Sequence, residues 1–297
     1  MPTVLSVPAI FAAVFCVITW GFNSIAIKIG LQRLDVSTFN FLRFLIVIPF
    51  IFFVPRPQLP WGRVALAAFF WNILNFAFLG CALKAGIPPG TLMFIFQANV
   101  FFSVFFGKTI FKEAITKRQV VSMIIGFLGV GLLCMDVKTE AMPIIGIIFV
   151  LLSAACSSFG VSLAKSITVE DKFSLNIWLN FITFMGFAVA TLFDDGFKGA
   201  QSFLLSPDMS TVLCLLFTGV LSTTIANFVW VSVLKTNDLS KVVPFMTLIP
   251  VVALLTSTAV FDEAITSRKC LAFAIILGSV IYGQIRPRAL IKSALHR

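Results

Sequence analysis

The sequence predicts an all-α integral membrane protein with ten transmembrane helices arranged as two inverted five-helix repeats. Of its 297 residues, 59% are hydrophobic and only 11% are charged, whereas a soluble domain carries about 25% charged residues. Apolar runs of about 18 or more residues follow one another along the chain, and each is long enough to cross a bilayer as a helix. An eight-residue motif also occurs twice, as FKEAITKR at 111–118 and as FDEAITSR at 261–268.

The repeated motif divides the chain into two halves. The two copies lie about half the chain apart, and each lies between two apolar runs, the second of which ends its half. Such a repeat indicates that one structural unit has been used twice. We therefore predict one five-helix unit over residues 1–136 and a second over residues 137–297.

The apolar runs define the helices in order. They are continuous rather than alternating, and a bilayer core admits only helices or closed barrels, so helices are expected. The first run lacks a basic start and a cleavage site, which predicts a retained helix rather than a signal peptide. The longest connection, 194–210, is predicted to be a polar loop. The predicted spans are 8–30, 36–54, 62–84, 89–111, 118–135, 143–165, 174–193, 211–234, 239–261 and 269–286.

The distribution of lysine and arginine predicts that both termini lie in the cytoplasm. With that orientation, 14 of the 22 basic residues fall in cytoplasmic connections and 7 in the opposite ones, while Arg43 lies inside a span. Five helices per half is an odd number, so the halves must run in opposite senses. Inverted repeats of this kind are typical of secondary transporters, which bind their substrate near the midplane between the halves.

Several short segments, taken in order, carry a resemblance to one known family. They are Trp20-Gly21-Phe22-Asn23 with Lys28, Phe41-Leu42-Arg43-Phe44, Gln97, Pro244 with Pro250, and the Glu113 and Glu263 motifs. In these segments the chain resembles the EamA-type branch of the drug/metabolite transporter superfamily, over nearly its whole length, and it is most similar to bacterial cysteine and O-acetylserine exporters. This resemblance implies an exporter of amino acids or related metabolites in the bacterial inner membrane.

Arg43 is the clearest candidate for a binding residue. It lies about two turns into an apolar run, where a charge costs roughly 2.5–3.5 kcal/mol on insertion scales. Its forked donors are suited to a substrate carboxylate. The alternative is structural, with the side chain reaching the membrane interface or tying helix carbonyls together.

Other polar and aromatic side chains at mid-span depth complete the predicted binding set. Polar groups there avoid lipid, so they line either a cavity or a helix–helix contact. Gln97 and Thr247 each precede the glutamate of their motif by sixteen residues, which makes them a matched pair. Ser157 and Ser158 stand where members of the resembled family often have an aromatic residue. The predicted substrate-binding residues are Trp20, Asn23, Arg43, Asn75, Gln97, Ser157, Ser158, Asn227, Trp230 and Thr247.

Gating or structural roles are predicted for two prolines and two glutamates. Pro244 and Pro250 interrupt backbone hydrogen bonds in the ninth helix and can kink it. Glu113 and Glu263 lie at helix ends, where capping of the next helix competes with a gating or coupling role. Thr116 and Gln119 match the capping-box pattern.

The remaining chemistry limits the functional classes. The only histidine, His296, lies in the tail, and all twelve acids fall in loops or at helix ends. We therefore expect no catalytic site, no metal site, no cofactor and no central proton relay, while proton coupling stays open. The net charge of +10 is assigned to membrane orientation rather than nucleic acid. The expected partners are a small-molecule substrate and the lipid bilayer.

The alternatives to amino-acid export are nucleotide-sugar or lipid-linked-sugar transport, an intramembrane enzyme and a non-transporting assembly factor.

Overall fold

A computed structural model describes residues 6–54, 60–135, 143–167, 171–237 and 242–284. Across these ranges the chain is helical and contains no β-strand. The helices are α1 Val7–Gly30, α2 Val36–Phe53, α3 Trp61–Lys84, α4 Pro89–Phe111, α5 Lys117–Met135, α6 Ile144–Lys165, α7 Lys172–Asp194, α8 Lys198–Leu205, α9 Met209–Leu234, α10 Phe245–Phe261 and α11 Ser267–Gln284.

Within the described part of the chain, seven helices are long and apolar enough to cross a membrane: α1, α2, α3, α4, α6, α7 and α9. A continuous hydrophobic helix of this length matches the thickness of the hydrocarbon core. The protein is therefore a multi-pass helical membrane protein. α10 is a shorter apolar helix, and α5 and α11 occupy the fifth and tenth predicted spans.

Several helices depart from regular α geometry. The regular part of α2 ends at Leu45, and a 3-10 turn follows over Ile48–Phe53, with a proline in its first turn. Proline supplies no N–H to the helix, which explains the change. α3 contains a π-helical segment at Phe69–Leu74, and α9 contains one at Phe217–Ile225. Such segments change which side chains face a neighbouring helix, and they are frequent at functional sites.

The prediction of a polar loop over 194–210 is wrong, because α8 forms within it. The Asp195 carboxylate accepts a hydrogen bond from the Gly199 N–H at 2.6 Å, which satisfies a donor in the first turn of this short helix. Ala200 and Phe203 are buried on its inner face. These two buried side chains hold the short helix against the bundle.

α5 packs closely along α11 through small residues. A Cβ atom on Gly129 would lie 2.8 Å from the Ile276 side chain, and Ser122 Oγ donates to the Ser279 carbonyl at 2.6 Å. Gly131 takes no part in this contact, since a Cβ atom there would meet nothing within 4 Å.

Both copies of the repeated motif begin with the same backbone turn. Lys112 and Asp262 follow the last residues of α4 and α10, and both adopt the left-handed helical conformation, with φ of 56° and 52°. A left-handed residue is a common way to end a helix, although it is usually glycine. Two non-glycine residues in this conformation at the same motif position indicate that the motif specifies a helix ending.

The first copy also forms the predicted capping box, which gives a stability prediction. The Gln119 N–H donates to Thr116 Oγ1 at 3.2 Å, and the Thr116 N–H donates to Gln119 Oε1 at 2.9 Å. Thr116→Ala is expected to lower the free energy of unfolding by about 1 kcal/mol, because the start of α5 loses its cap. Chemical unfolding in detergent measures this. Thr109→Ala is the control, since that hydroxyl bonds only carbonyls of its own helix, and an equal loss in both variants would contradict the prediction.

Candidate functional site

A cavity of about 140 Å³ lies among α1, α2, α3, α7 and α9. Its wall combines one guanidinium, several amides and hydroxyls, two indoles and a phenyl ring, and none of its lining residues is acidic. These residues are Trp20, Asn23, Arg43, Trp71, Asn72, Phe76, Asn176, Asn180, Ser222, Thr223 and Asn227. A concave polar pocket at mid-span depth is the expected form of a solute-binding site in a membrane transport protein.

Among the residues that the structure describes, Arg43 is the only charged one in the cavity wall. Its side chain is only 1% exposed, and Nη2 donates to Thr223 Oγ1 at 2.8 Å. The guanidinium carbon lies 4.3 Å from the centroid of the Phe76 ring and 5.3 Å from that of Phe44, within range of cation–π attraction. Nε and Nη1 are buried without a hydrogen-bond partner. Two donors on a buried cation that have no partner in the protein are chemically suited to an anionic group.

The π-helical segment of α9 shapes the wall opposite Arg43. Thr223 Oγ1 donates to the Thr218 carbonyl at 2.7 Å, a five-residue separation that follows the wider turn. Gly219 lets α9 approach the backbone of α2, because a Cβ atom there would lie 2.7 Å from the Arg43 carbonyl oxygen. The close approach brings the hydroxyl of Thr223 within reach of the guanidinium.

α1 contributes an indole and an amide to the same cavity. Trp20 Nε1 donates to the Ser222 carbonyl at 3.2 Å, and its ring meets Trp230 edge-on at a centroid distance of 5.4 Å. Asn23 Oδ1 is buried and has no hydrogen-bond partner. Asn227 Nδ2 donates to the Thr223 carbonyl at 2.7 Å. The cavity therefore offers an unpaired acceptor at Asn23 as well as the unpaired donors of Arg43.

α3 and α7 supply lining residues that sequence reasoning missed. Asn72 Nδ2 donates to Thr183 Oγ1 at 3.0 Å, and Asn180 Nδ2 donates to Asn176 Oδ1 at 3.2 Å. The pair on α7 carried a usable signal, since two asparagines four residues apart share one face of a helix. No pattern in the sequence indicated Asn72, because the π-helical turn at Phe69–Leu74 alters which residues of α3 face inward.

Of the ten predicted binding residues, Trp20, Asn23, Arg43 and Asn227 lie in the cavity wall. Trp230 packs behind Trp20. Their assignment to substrate binding remains a prediction. These residues come from α1, α2 and α9, helices that are distant in the sequence and adjacent in the bundle.

The remaining polar predictions on α3 and α6 lie at helix contacts instead. Ser153 Oγ donates to both the backbone carbonyl and Oδ1 of Asn75, at 3.0 and 2.6 Å, which joins α6 to α3. Ser158 Oγ donates to the Asn99 carbonyl at 2.6 Å, which joins α6 to α4. Ser157 is buried on α6. Interhelical hydrogen bonds of this kind are the alternative to cavity lining for polar groups at mid-span depth.

The matched pair and the prolines lie at helix breaks. Gln97 separates the α-helical segments Pro89–Phe96 and Ala98–Phe111 of α4. Thr247 is buried in the 3-10 turn Val243–Leu248, and Pro250 is buried in the first turn of the α-helix that follows. Pro244 belongs to the same 3-10 turn, and its side chain lies outside the described residues. Gln97, Thr247 and Pro250 do not line the cavity.

The two motif glutamates are in different surroundings. Glu113 is exposed and pairs with Lys165, at 3.3 Å between Oε1 and Nζ. Glu263 is only 6% exposed and accepts hydrogen bonds from Ser257 Oγ at 2.6 Å and from the Thr91 N–H at 3.0 Å. Glu263 lies just after the end of α10. Its carboxylate thus caps α4, a helix from the other half of the chain.

The sequence profile of the EamA-like transporter family matches residues 7–135 and 144–282. The match covers nearly the whole chain, so the protein belongs to the EamA-like transporter family. Membership of this family makes it a membrane transporter.

Two bacterial relatives are similar along most of the chain. A probable amino-acid metabolite efflux pump of Escherichia coli (strain K12) is 30% identical over 271 residues, covering 89% of this chain and 91% of that protein. A probable amino-acid metabolite efflux pump of Salmonella typhimurium (strain LT2) is 29% identical over 278 residues, covering 92% and 93%. A protein of known crystal structure shares the fold, with a TM-score of 0.65 at 16% identity over 95% of this chain and 98% of that one.

Proposed function

We propose that the protein exports a small amino acid, or a closely related metabolite, across the bacterial inner membrane by alternating access. One observation carries the proposal: a single cavity contains the guanidinium donors of Arg43 and the acceptor of Asn23, none of which has a hydrogen-bond partner in the protein. Leaving such polar groups unpaired is costly, so they are expected to be satisfied by a ligand or by water.

An amino acid would satisfy both groups. Its carboxylate can accept a charge-assisted hydrogen bond from the Arg43 guanidinium at Nε or at Nη1, two unpaired nitrogens that lie on different edges of that group. Its amine can donate to Asn23 Oδ1. Trp20 and Phe76 provide apolar walls for a small side chain. The names of the bacterial relatives as amino-acid metabolite efflux pumps support the same substrate class and the direction of transport.

The cavity favours a small solute over the alternatives. A volume of about 140 Å³ holds about five water molecules at about 30 Å³ each. A nucleotide sugar or a lipid-linked sugar is far larger, and its phosphates would need more cations than the single arginine in the wall. A purely structural assembly factor would gain nothing from a buried guanidinium with unpaired donors, because that group lowers stability.

The proposed architecture has ten transmembrane helices in two inverted five-helix repeats, over residues 1–136 and 137–297. Helices at the fifth, ninth and tenth predicted spans support the count, and the common left-handed turn in both motif copies supports the repeat. An odd number of helices per half inverts the second half, and the even total puts both termini on the same side of the membrane. The distribution of lysine and arginine favours the cytoplasmic side.

Counterflow in liposomes tests the function. Purified protein is reconstituted into vesicles loaded with alanine, serine, cysteine or O-acetylserine, and uptake of the labelled compound is measured with and without a proton gradient. We expect exchange of at least one amino acid above protein-free vesicles, and none of alaninamide, which lacks the carboxylate that Arg43 would bind. Failure to move any amino acid, or movement of a nucleotide sugar instead, would overturn the proposed substrate class.

A further inference from the structure

Glu263 joins the two halves of the molecule at a buried point. Its carboxylate accepts hydrogen bonds from the N–H groups of Gly90 and Thr91 at 3.1 and 3.0 Å, and from Ser257 Oγ at 2.6 Å. Gly90 and Thr91 belong to the first turn of α4, where backbone donors are free and the helix dipole favours an anion. α4 lies in the first half of the chain and Glu263 in the second.

A lysine and a close helix contact complete this junction. Lys28 Nζ, at the end of α1, lies 4.8 Å from the centroid of the Phe261 ring and is attracted to the Glu263 carboxylate. A Cβ atom on Gly90 would lie 2.7 Å from both Glu263 Oε2 and the Leu254 backbone. The glycine therefore allows α10 to rest directly on α4, and the Glu263 carboxylate is buried at this contact.

The first copy of the motif has the same three residue types around it, with the halves exchanged. Lys165 Nζ, at the end of α6, lies 4.9 Å from the centroid of the Phe111 ring and 3.3 Å from Glu113 Oε1. α1 and α6 are the first helices of their halves. In each case a lysine ending the first helix of one half meets the phenylalanine and glutamate of the motif in the other half.

The two clusters differ in burial. Glu263 is 6% exposed, whereas the side chains of Glu113 and Lys165 are 57% and 65% exposed. An exposed ion pair contributes about 0–1 kcal/mol, while a buried carboxylate with several donors forms stronger, charge-assisted hydrogen bonds. One junction is therefore tight and its counterpart is loose within a single conformation.

We propose that the clusters Lys28–Phe261–Glu263 and Lys165–Phe111–Glu113 are two equivalent gates, closed and open respectively in this structure. The proposal rests on the proposed alternating-access function, because a transporter of that kind closes one access path as it opens the other. Glu263 then acts as a positioning residue that holds α10 against α4, and its release favours the opposite conformation. The two copies of the motif differ in burial because each belongs to a different gate.

Distances between spin labels test this gating without any substrate. In a protein whose native cysteines have been replaced, one pair of labels is placed at Gln32 and Ser267 beside the closed cluster, and another at Ala114 and Ser166 beside the open one; all four positions are exposed. Glu263→Gln is expected to increase the population with a long Gln32–Ser267 distance about tenfold, because charge-assisted hydrogen bonds are lost. The Ala114–Ser166 distance is expected to shorten in the same population.

The matched control is Glu113→Gln, which is expected to leave the Gln32–Ser267 distance unchanged. Ser257→Ala removes one hydrogen bond to Glu263 and should give a smaller shift in the same direction, which keeps the test valid if Glu263→Gln folds poorly. Unchanged distances in both Glu263→Gln and Ser257→Ala, or an equal shift in Glu113→Gln, would overturn the gate assignment. Because the distances do not depend on transport, a shift without amino-acid transport would retain the gates and reject the substrate class.

Discussion

Arg43→Gln is expected to reduce amino-acid transport about 10- to 100-fold and, at the same time, to make the protein more stable. The loss follows from the geometry of the cavity, where the guanidinium is the only charged group in the wall. Hydrogen bonds to charged groups contribute about 1.5–3 kcal/mol each, and 1.4 kcal/mol corresponds to a tenfold change in affinity. Glutamine retains some hydrogen-bonding capacity but loses the charge and the forked pair of donors.

The gain in stability follows from the same unpaired donors. A charged side chain at the centre of a membrane costs roughly 2.5–3.5 kcal/mol. Thr223 and the Phe76 ring offset only part of that cost, since Nε and Nη1 have no partner. We expect Arg43→Gln to raise the free energy of unfolding in detergent by about 1–2 kcal/mol. A residue retained for structure would show the opposite sign.

Counterflow and chemical unfolding, carried out on the same preparations, measure the two effects. Arg43→Lys retains the charge but not the planar fork, so it should transport weakly. Arg63→Gln is the matched control, because Arg63 is exposed and should leave both quantities unchanged. If Arg43→Gln transported normally, or if it lost stability together with transport, the binding role of Arg43 would be rejected.

The largest expected effect on folding comes from Gly160→Ala. A Cβ atom on Gly160 would lie 2.3 Å from the backbone nitrogen and 2.6 Å from the Cα of Trp71. Backbone atoms cannot turn aside as a flexible side chain can, so α6 must move away from α3. Overpacking of this kind costs about 1–3 kcal/mol or more, and the movement would also displace Trp71 from the cavity wall.

The measurement is the yield of monodisperse protein after detergent extraction, followed by chemical unfolding. Gly131→Ala is the control, since a Cβ atom there meets nothing within 4 Å. Alanine in place of glycine favours a helix by about 0.5–1 kcal/mol, so this variant should be at least as stable as the parent protein. Equal yields and unfolding free energies for the two alanine variants would show that α3 and α6 are not in close contact.

The sequence predicted much of the site because polar groups are rare at mid-span depth. Arg43, Asn23 and Asn227 stood out against their apolar surroundings, and the cost of exposing them to lipid predicted that they face inward. All three line the cavity, together with Trp20. The same reasoning did not separate them from Asn75 and Ser158, which join helices instead. Residues that line a cavity and residues that bond to another helix both avoid lipid. Polarity alone therefore predicts that a residue faces inward, but it does not distinguish these two roles.

Departures from regular helix geometry account for the rest of the site. Asn72 and Thr223 lie within π-helical segments, and an ideal helical wheel places such residues on the wrong face. The left-handed conformation of Lys112 and Asp262 was also not predictable from the sequence, since neither residue is the glycine usually found at such a helix end.

By itself, the sequence determined that the chain is helical and membrane-spanning and that it contains a repeated motif, because hydrophobic length and recurrence are properties of the chain. Only the tertiary structure decided which polar residues share a cavity and that Glu263 is buried while Glu113 is exposed. The physical reason is that hydrophobicity acts on each segment independently. A hydrogen bond or a close backbone approach, in contrast, needs two particular segments to meet, and in this bundle those segments lie far apart in the sequence.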